Sequence, residues 1–340
     1  MILHLTYGKF VGGFLGVDLF FSLSGFLITY LLMHEWESCG SIRLGRFYMR
    51  RILRLYPAVV VTVVGTYFVW PKSELHVYGR VAFAALFYHV NLVQVGRHPL
   101  LHMWSLSVEE QFYILYPPVL LFLLSRRKSI ITWFLAGIIA SQCVRLAMMY
   151  RGVDLVFINR FTFARAESFF MGCLAAQWVE TRRAQGRRLP LLCRYPAAFS
   201  IAGILILSLL CLKLQADTRW LTTSGHTLIA LLCSGLVTSA AFLNGKSLIS
   251  AILRSFPMRY LGTRSYGLYL YHWVIFEATE SLRNHHSMAN FVLVTILRLV
   301  MTFVVTEASF QFVERPFLKL KRRFEPERTK VAMVVTIAIP

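Results

Sequence analysis

The chain has 340 residues, 57% of them hydrophobic and only 15% charged, a balance that excludes an ordinary soluble domain in favour of a polytopic membrane protein. Lys and Arg outnumber Asp and Glu by 36 to 16, giving +20, but the positive residues gather between apolar segments, so loop topology accounts for them rather than nucleic-acid binding. Cys39, Cys143, Cys173, Cys193, Cys211 and Cys233 have neither metal-binding nor redox spacing, so no metal site and no disulfide is expected.

Apolar runs recur at 14–32, 57–71, 81–96, 111–125, 129–150, 163–180, 196–213, 226–243, 265–281 and 289–312, and another begins near 331. Four basic segments separate them, Arg43 to Arg54, Arg182 to Arg194, Lys246 to Arg264 and Arg315 to Lys330, and these are expected to be cytoplasmic. Five runs lie between the first two basic segments, and an odd number of spans would put those segments on opposite sides of the membrane. The run 81–96 carries His89 and Asn91 and leads into a polar, irregular stretch, so it is the one expected not to span. Arg126, Arg127 and Lys128 then fall on the cytoplasmic side with the rest. The expected fold is all-α, a transmembrane bundle of about ten spans with a re-entrant or outer-side segment near 81–109. The tenth span is one that ends near His4. Residues 1–10 are too short to cross alone, so either the true start lies upstream or this is an N-terminally truncated product.

Several polar residues stand out against this apolar background. Asp18 sits near the start of FLGVDLFFSLSGFLITY, where a carboxylate is kept only with a partner or a role. Across the Gly12-Gly13 turn, His4 is within reach of it; the alternative is a headgroup-level His and a helix-capping Asp. Arg50, Arg51 and Arg54 precede a span, with Arg51 and Arg54 on one helical face, and would either bind the phosphates of a nucleotide-like cofactor or anchor the topology. In the stretch from His102 to Tyr113, a hydrolase-like triad lacks its nucleophile elbow. There, either Ser105 or Ser107 caps a helix that opens with Glu109 and Glu110, or one Glu lines a polar cavity. Arg145, Arg165 and Glu167 lie within or at the ends of apolar runs and call for internal Arg–Glu pairing, and Arg298 with Glu307 reads the same way. His272, inside a span, is either a helix–helix hydrogen bond or a catalyst.

In order, GGFLGVDLFFSLSGFLIT, FYMRRILRLYP, HMWSLSVEEQFYILYP, FTFARAESFFMG, LGTRSYGLYLYHW and FVERPF resemble the acyltransferase family 3 membrane proteins, bacterial O-acyltransferases that modify surface and exported carbohydrates. The likeness covers residues 1–318 as a membrane domain and leaves 319–340 as a basic cytoplasmic segment and the start of a truncated apolar helix. It implies an inner-membrane, multi-pass enzyme that moves an acyl group, usually acetyl from acetyl-CoA, onto a carbohydrate or glycolipid hydroxyl, with no permanently bound cofactor. By the same resemblance His4 is the essential first-helix histidine, Asp18 belongs to the matching GVDLFF segment, Arg51 and Arg54 are the R-x-x-R pair, and Glu110 lies in the SLSVEEQF segment. His4 would act as general base on the sugar hydroxyl or accept the acyl group itself, oriented by Asp18 or by Glu110. Arg51 and Arg54, helped by Arg50, would dock the anionic donor. The chain departs from the family in lacking a basic residue about eleven positions before His4, in carrying Glu167 where Asp is common, and in having no SGNH-type hydrolase domain after the membrane part. The rival readings are a polysaccharide or lipid-linked sugar transporter and an inactive truncated homologue.

Overall fold

Inside a bilayer no water satisfies backbone N–H and C=O groups, so each long apolar run must close its hydrogen bonds within a helix. A computed structural model describes residues 14–70, 75–96, 98–214, 218–243, 245, 247–282 and 288–324, and every regular element among them is helical. The long helices are α1 (Leu15–Cys39), α2 (Leu44–Val69), α3 (Leu75–Leu86), α4 (Trp104–Ser125), α5 (Ile130–Tyr150), α6 (Thr162–Ala184), α7 (Pro196–Lys213), α8 (Leu221–Ala241), α9 (Phe256–Ala278) and α10 (Met288–Ser309). A π turn, Phe310–Glu314, joins α10 to the short α11 (Arg315–Lys321).

Six helices are long and apolar enough to cross a membrane: α1, α2, α5, α7, α8 and the continuous α10–α11. Helices α4, α6 and α9 reach 22, 23 and 23 residues but carry buried polar side chains that dilute their hydropathy. The outward faces of α7 and α10 expose Leu205, Leu209, Leu293 and Val304, surface that a lipid phase rather than water would cover.

Side-chain contacts fix the direction of each helix. Asp18 meets Ser168 and His34 meets Glu180, so α1 and α6 run parallel. Leu15 packs with Leu221 and Phe26 with Val237, so α8 runs with them. Arg145 meets Glu167 while Gly137 faces Phe170, so α5 runs the opposite way. Thr29 bonds Tyr116 and Ser24 bonds Glu109, aligning α4 with α1. Tyr266 bonds the Leu55 carbonyl and lies in α9, which α10 reverses through Arg298 on Phe276 and Glu307 on Arg264. These directions bring the segments around Arg43, Arg126, Arg187 and Arg254 to one end of the bundle. Two long-range contacts agree, Arg50 bonding the Phe324 carbonyl at 2.9 Å and Arg183 lying 4.7 Å from the Phe242 ring. The opposite end is that of Phe14.

The stretch expected not to span dips into the bundle and returns. Helix α3 has only 12 residues, roughly 18 Å of rise against a hydrocarbon core of about 30 Å. Its Tyr78 hydroxyl bonds the Val63 carbonyl at 2.5 Å, Tyr88 reaches the level of Tyr56, and the chain comes back out so that His98 packs on Trp70. The short turns Val90–Leu92 and Leu101–Met103 complete the excursion.

Two local expectations change. Helix α2 begins at Leu44, so Arg50, Arg51 and Arg54 lie within a helix rather than before one. Helix α4 begins at Trp104 with Met103 as its N-cap, so Ser105 and Ser107 are not caps. Ser107 Oγ instead donates to the Met103 carbonyl and accepts from the Val90 N–H, and Ser105 Oγ pairs with the Tyr269 hydroxyl at 2.7 Å.

Candidate active site

Two buried polar layers cross the bundle, with Phe21 between them. The first lies near the Phe14 end, where α1, α6 and α8 begin. Asp18 Oδ1 accepts from Arg165 Nη2 at 2.8 Å and from Ser168 Oγ at 3.0 Å. Asp18 Oδ2 has no hydrogen-bond partner among the described residues, and His226 Nδ1 stands 3.8 Å from it. Arg165 Nη1 contacts both ring nitrogens of His226, Nε2 at 3.0 Å, and Nε2 also lies 3.1 Å from Asn159 Oδ1. A π turn, Leu221–Gly225, delivers His226 to this place, and such turns recur at functional sites.

Beside this cluster Arg145 grips Glu167 through both guanidinium nitrogens, with Nη2 to Oε2 at 2.9 Å and neither side chain exposed. Thr227 donates to the same carboxylate, and Gln142 bonds both Arg145 and Thr227. Arg165 therefore pairs with Asp18, and Glu167 with Arg145.

The second layer lies six residues further along α1, roughly 9 Å deeper by helix rise. Ser24 Oγ donates to Glu109 at 2.7 Å, and Arg51 Nη2 bonds Glu110 at 2.7 Å and lies 3.9 Å from Glu109. The Arg51 guanidinium sits 3.2 Å from the Tyr113 ring centroid, and its Nε has no partner among the described residues. Arg54 is exposed one turn toward the bundle centre, and Arg50 approaches Glu35 at 4.0 Å. Gln111 ties this layer to the re-entrant segment by bonding the Tyr88 carbonyl and Asn91 Oδ1.

Phe21, Phe169, Phe112 and Tyr116 stack in sequence with centroids 4.4, 4.3 and 4.8 Å apart, a row that starts at Phe21 between the layers and runs past the second one to Tyr116, which bonds Thr29. Phe21 is one turn from both Asp18 and Ser24, so its ring occupies the level between them.

Other sequence candidates lie elsewhere. His102 and His272 face each other with ring centroids 5.5 Å apart, each bonded to backbone carbonyls, His102 to Pro99 and Leu270, His272 to Tyr269. Arg298 does not pair with Glu307: the two are about 13.5 Å apart along one helix, and Arg298 bonds Glu280 at 2.6 Å while Glu307 binds Arg264 at 3.0 Å. His4 and the Gly12-Gly13 turn lie outside the described residues.

A cavity of about 170 Å³ abuts the first layer, lined by Phe14, Trp104, Val156, Asn159, Arg160, Arg165 and His226. Arg160, just before α6, loses some of its preference for the charged state through burial, an effect that Asp154 opposes. Sequence reading passed over His226 and Asn159. His226 opens an apolar run much as Asp18 does, and that signal was available.

Comparison with known proteins brings in an independent line. A family profile described as an acyltransferase domain matches residues 2–307. The chain is similar to a peptidoglycan O-acetyltransferase, OatA, of Listeria monocytogenes, 33% identical over 93% of this chain and 53% of that protein. It is similar as well to the O-acetyltransferase OatA of Staphylococcus aureus (strain MRSA252), 31% identical over 100% of this chain and 59% of that protein. A putative O-acetyltransferase of Staphylococcus aureus (strain COL) matches to the same extent, 31% over 100% and 59%. The chain thus spans a little over half the length of these relatives. No solved structure matches.

Proposed function

The chain belongs to acyltransferase family 3, and from that premise we propose that it is an integral membrane O-acetyltransferase that carries an acetyl group from acetyl-CoA to a hydroxyl of a cell-envelope carbohydrate. In this reading the bundle spans the inner membrane ten times, the tenth span being supplied by the segment that includes His4, and the basic end faces the cytoplasm. The single observation that carries the reading is the stacking of two buried ionic layers along α1, one that includes Arg51 from the basic segment Arg43 to Arg54 and the other close to the Phe14 end. A membrane protein retains buried charge at such cost where a polar substrate must be held or passed on.

The donor arrives at the basic end. Arg51 and Arg54, one turn apart on α2, present guanidinium forks suited to the phosphates of acetyl-CoA, and Arg50 adds charge nearby. Glu109 and Glu110 hold Arg51 in a single orientation and lower the cost of burying it. The acceptor is met at the Phe14 end. There His4 takes the hydroxyl proton as general base, the hydroxyl oxygen attacks the acetyl carbonyl, the C–S bond breaks, and the thiol leaves with a proton as CoA-SH. In this proposal Asp18 accepts the His4 imidazole N–H and fixes its tautomer. Arg165 and Ser168 keep that carboxylate ionised and immobile through its Oδ1.

The test is release of CoA thiol from acetyl-CoA by the purified chain in nanodiscs, with and without glycan. Thiol release that rises with glycan and ester-linked acetyl on the sugar are the expected results. A transporter yields neither, and their absence overturns the proposal.

A further inference from the structure

We infer that the cavity lined by Phe14, Trp104, Asn159, Arg160 and His226 is the acceptor subsite, sized for one sugar ring of the glycan, with Trp104 as its platform and Asn159 and His226 as its hydroxyl readers. This rests on the acetyl-transfer reading above and adds the place and the chemistry of acceptor recognition.

Size is the first argument. At about 170 Å³ the cavity is well below the roughly 300–1,000 Å³ that encloses a drug-sized ligand, so it excludes the donor and admits a single ring. Its lining is the second. Phe14, Val156 and the Trp104 indole give it apolar lining, and Asn159, Arg160, Arg165 and His226 add polar groups. A pyranose has the same mixed chemistry, C–H faces that pack on an aromatic ring and a rim of hydroxyls that must be hydrogen-bonded when taken out of water.

An orphaned polar atom supplies the third argument. Arg165 lines the cavity and is only 2% exposed, yet its Nε has no hydrogen-bond partner among the described residues. Buried groups of this kind carry an energetic penalty that a bound hydroxyl would remove. Arg160 lines the cavity with no salt bridge among the described residues, so a guanidinium stands at the rim with donors to offer. The position is the fourth argument, because the cavity is lined by Arg165 and His226, the side chains that contact Asp18, and so brings a sugar hydroxyl to the edge of that layer.

Two measurements on the full chain in nanodiscs test the inference, with soluble glycan fragments of peptidoglycan as the probe. In the first, Trp104→Ala and Asn159→Ala are expected to raise the acceptor KM by about tenfold while the acetyl-CoA KM stays within about twofold; Trp104→Phe keeps a platform and recovers most of the affinity. In the second, V156C, in a background with C39S and C143S, is labelled by a maleimide. Val156 is 47% exposed, so the thiol is reachable, and the glycan is expected to slow its labelling while acetyl-CoA does not. An unchanged acceptor KM in both alanine variants, or labelling that acetyl-CoA slows and glycan leaves alone, overturns the subsite. If the wild-type chain releases no thiol with any glycan, the acetyl-transfer reading itself fails, a result distinct from loss of the subsite alone.

Discussion

Asp18 and Arg165 are 147 positions apart in sequence, yet each is the other's principal reason for being tolerated in the bundle. Removing one partner of a buried pair leaves an uncompensated charge, at a cost of about 3–5 kcal/mol. Arg165→Met is therefore expected to lower thermal stability in detergent sharply, while the double variant Arg165→Met with Asp18→Asn regains much of it. A single variant as stable as the wild type would mean that the pair is not ionic. At the donor layer the expectation concerns binding. Arg51→Ala loses a charge-assisted hydrogen bond worth about 1.5–3 kcal/mol, so kcat/KM for acetyl-CoA is expected to fall about ten- to hundredfold. Arg51→Lys keeps the charge but not the fork and should fall between the two. Enzyme kinetics at saturating glycan read both outcomes. If R51A left kcat/KM for acetyl-CoA unchanged, the donor site would have to lie elsewhere.

Helix α1 meets α6 at two glycines. A Cβ on Gly25 would overlap the Phe169 carbonyl, and one on Gly172 the Ser22 carbonyl, so the two backbones touch with no room for a side chain. Small residues allow this kind of packing between membrane helices. Contact of this closeness is what sets the register that aligns Asp18 with Arg165. Gly172→Val is expected to cost at least the roughly 1–3 kcal/mol of an overpacked core and to reduce transfer, since it shifts both members of the ion pair. A melting curve beside an activity assay would show both losses together; full activity in a destabilised protein would contradict the link between register and site. The re-entrant segment makes a second element-scale case. Its polar residues, His89 and Asn91 among them, marked 81–96 in the sequence as unfit to span, and the observed dip to the level of Tyr56 follows from a helix too short to cross.

At the scale of the whole molecule, much of the fold was legible, because a bilayer imposes length and apolarity on each span and charge on each loop. Parity of the basic segments anticipated that Arg126, Arg127 and Lys128 would share an end with the other clusters, and the helix directions agree. What was not legible was partnership. Arg165 and Glu167 were each recognisable as buried charges, but helical periodicity says nothing about which distant helix supplies the counter-charge. Likewise Arg298 and Glu307 were recognisable as charges that need a partner, but the sequence does not say that Arg298 bonds Glu280 and Glu307 binds Arg264. His226 and Asn159 were missed because a single His or Asn at the edge of an apolar run looks like any interfacial residue until the π turn and the one-turn helix Leu155–Ile158 bring them together.

The same scale sets the central demand on the chemistry. In the proposed reaction the donor docks at the Arg51 layer and the acceptor at the Asp18 layer, with Phe21 between them along α1, so the acetyl group has to pass that ring. Sided vesicles measure this directly: purified chain is reconstituted, radiolabelled acetyl-CoA is supplied only at the face bearing the basic segments, and glycan is enclosed on the other. The account predicts label on the enclosed glycan, lost in Arg51→Ala and in Asp18→Asn. Label that appears only on glycan supplied at the donor face, or on none, would contradict it.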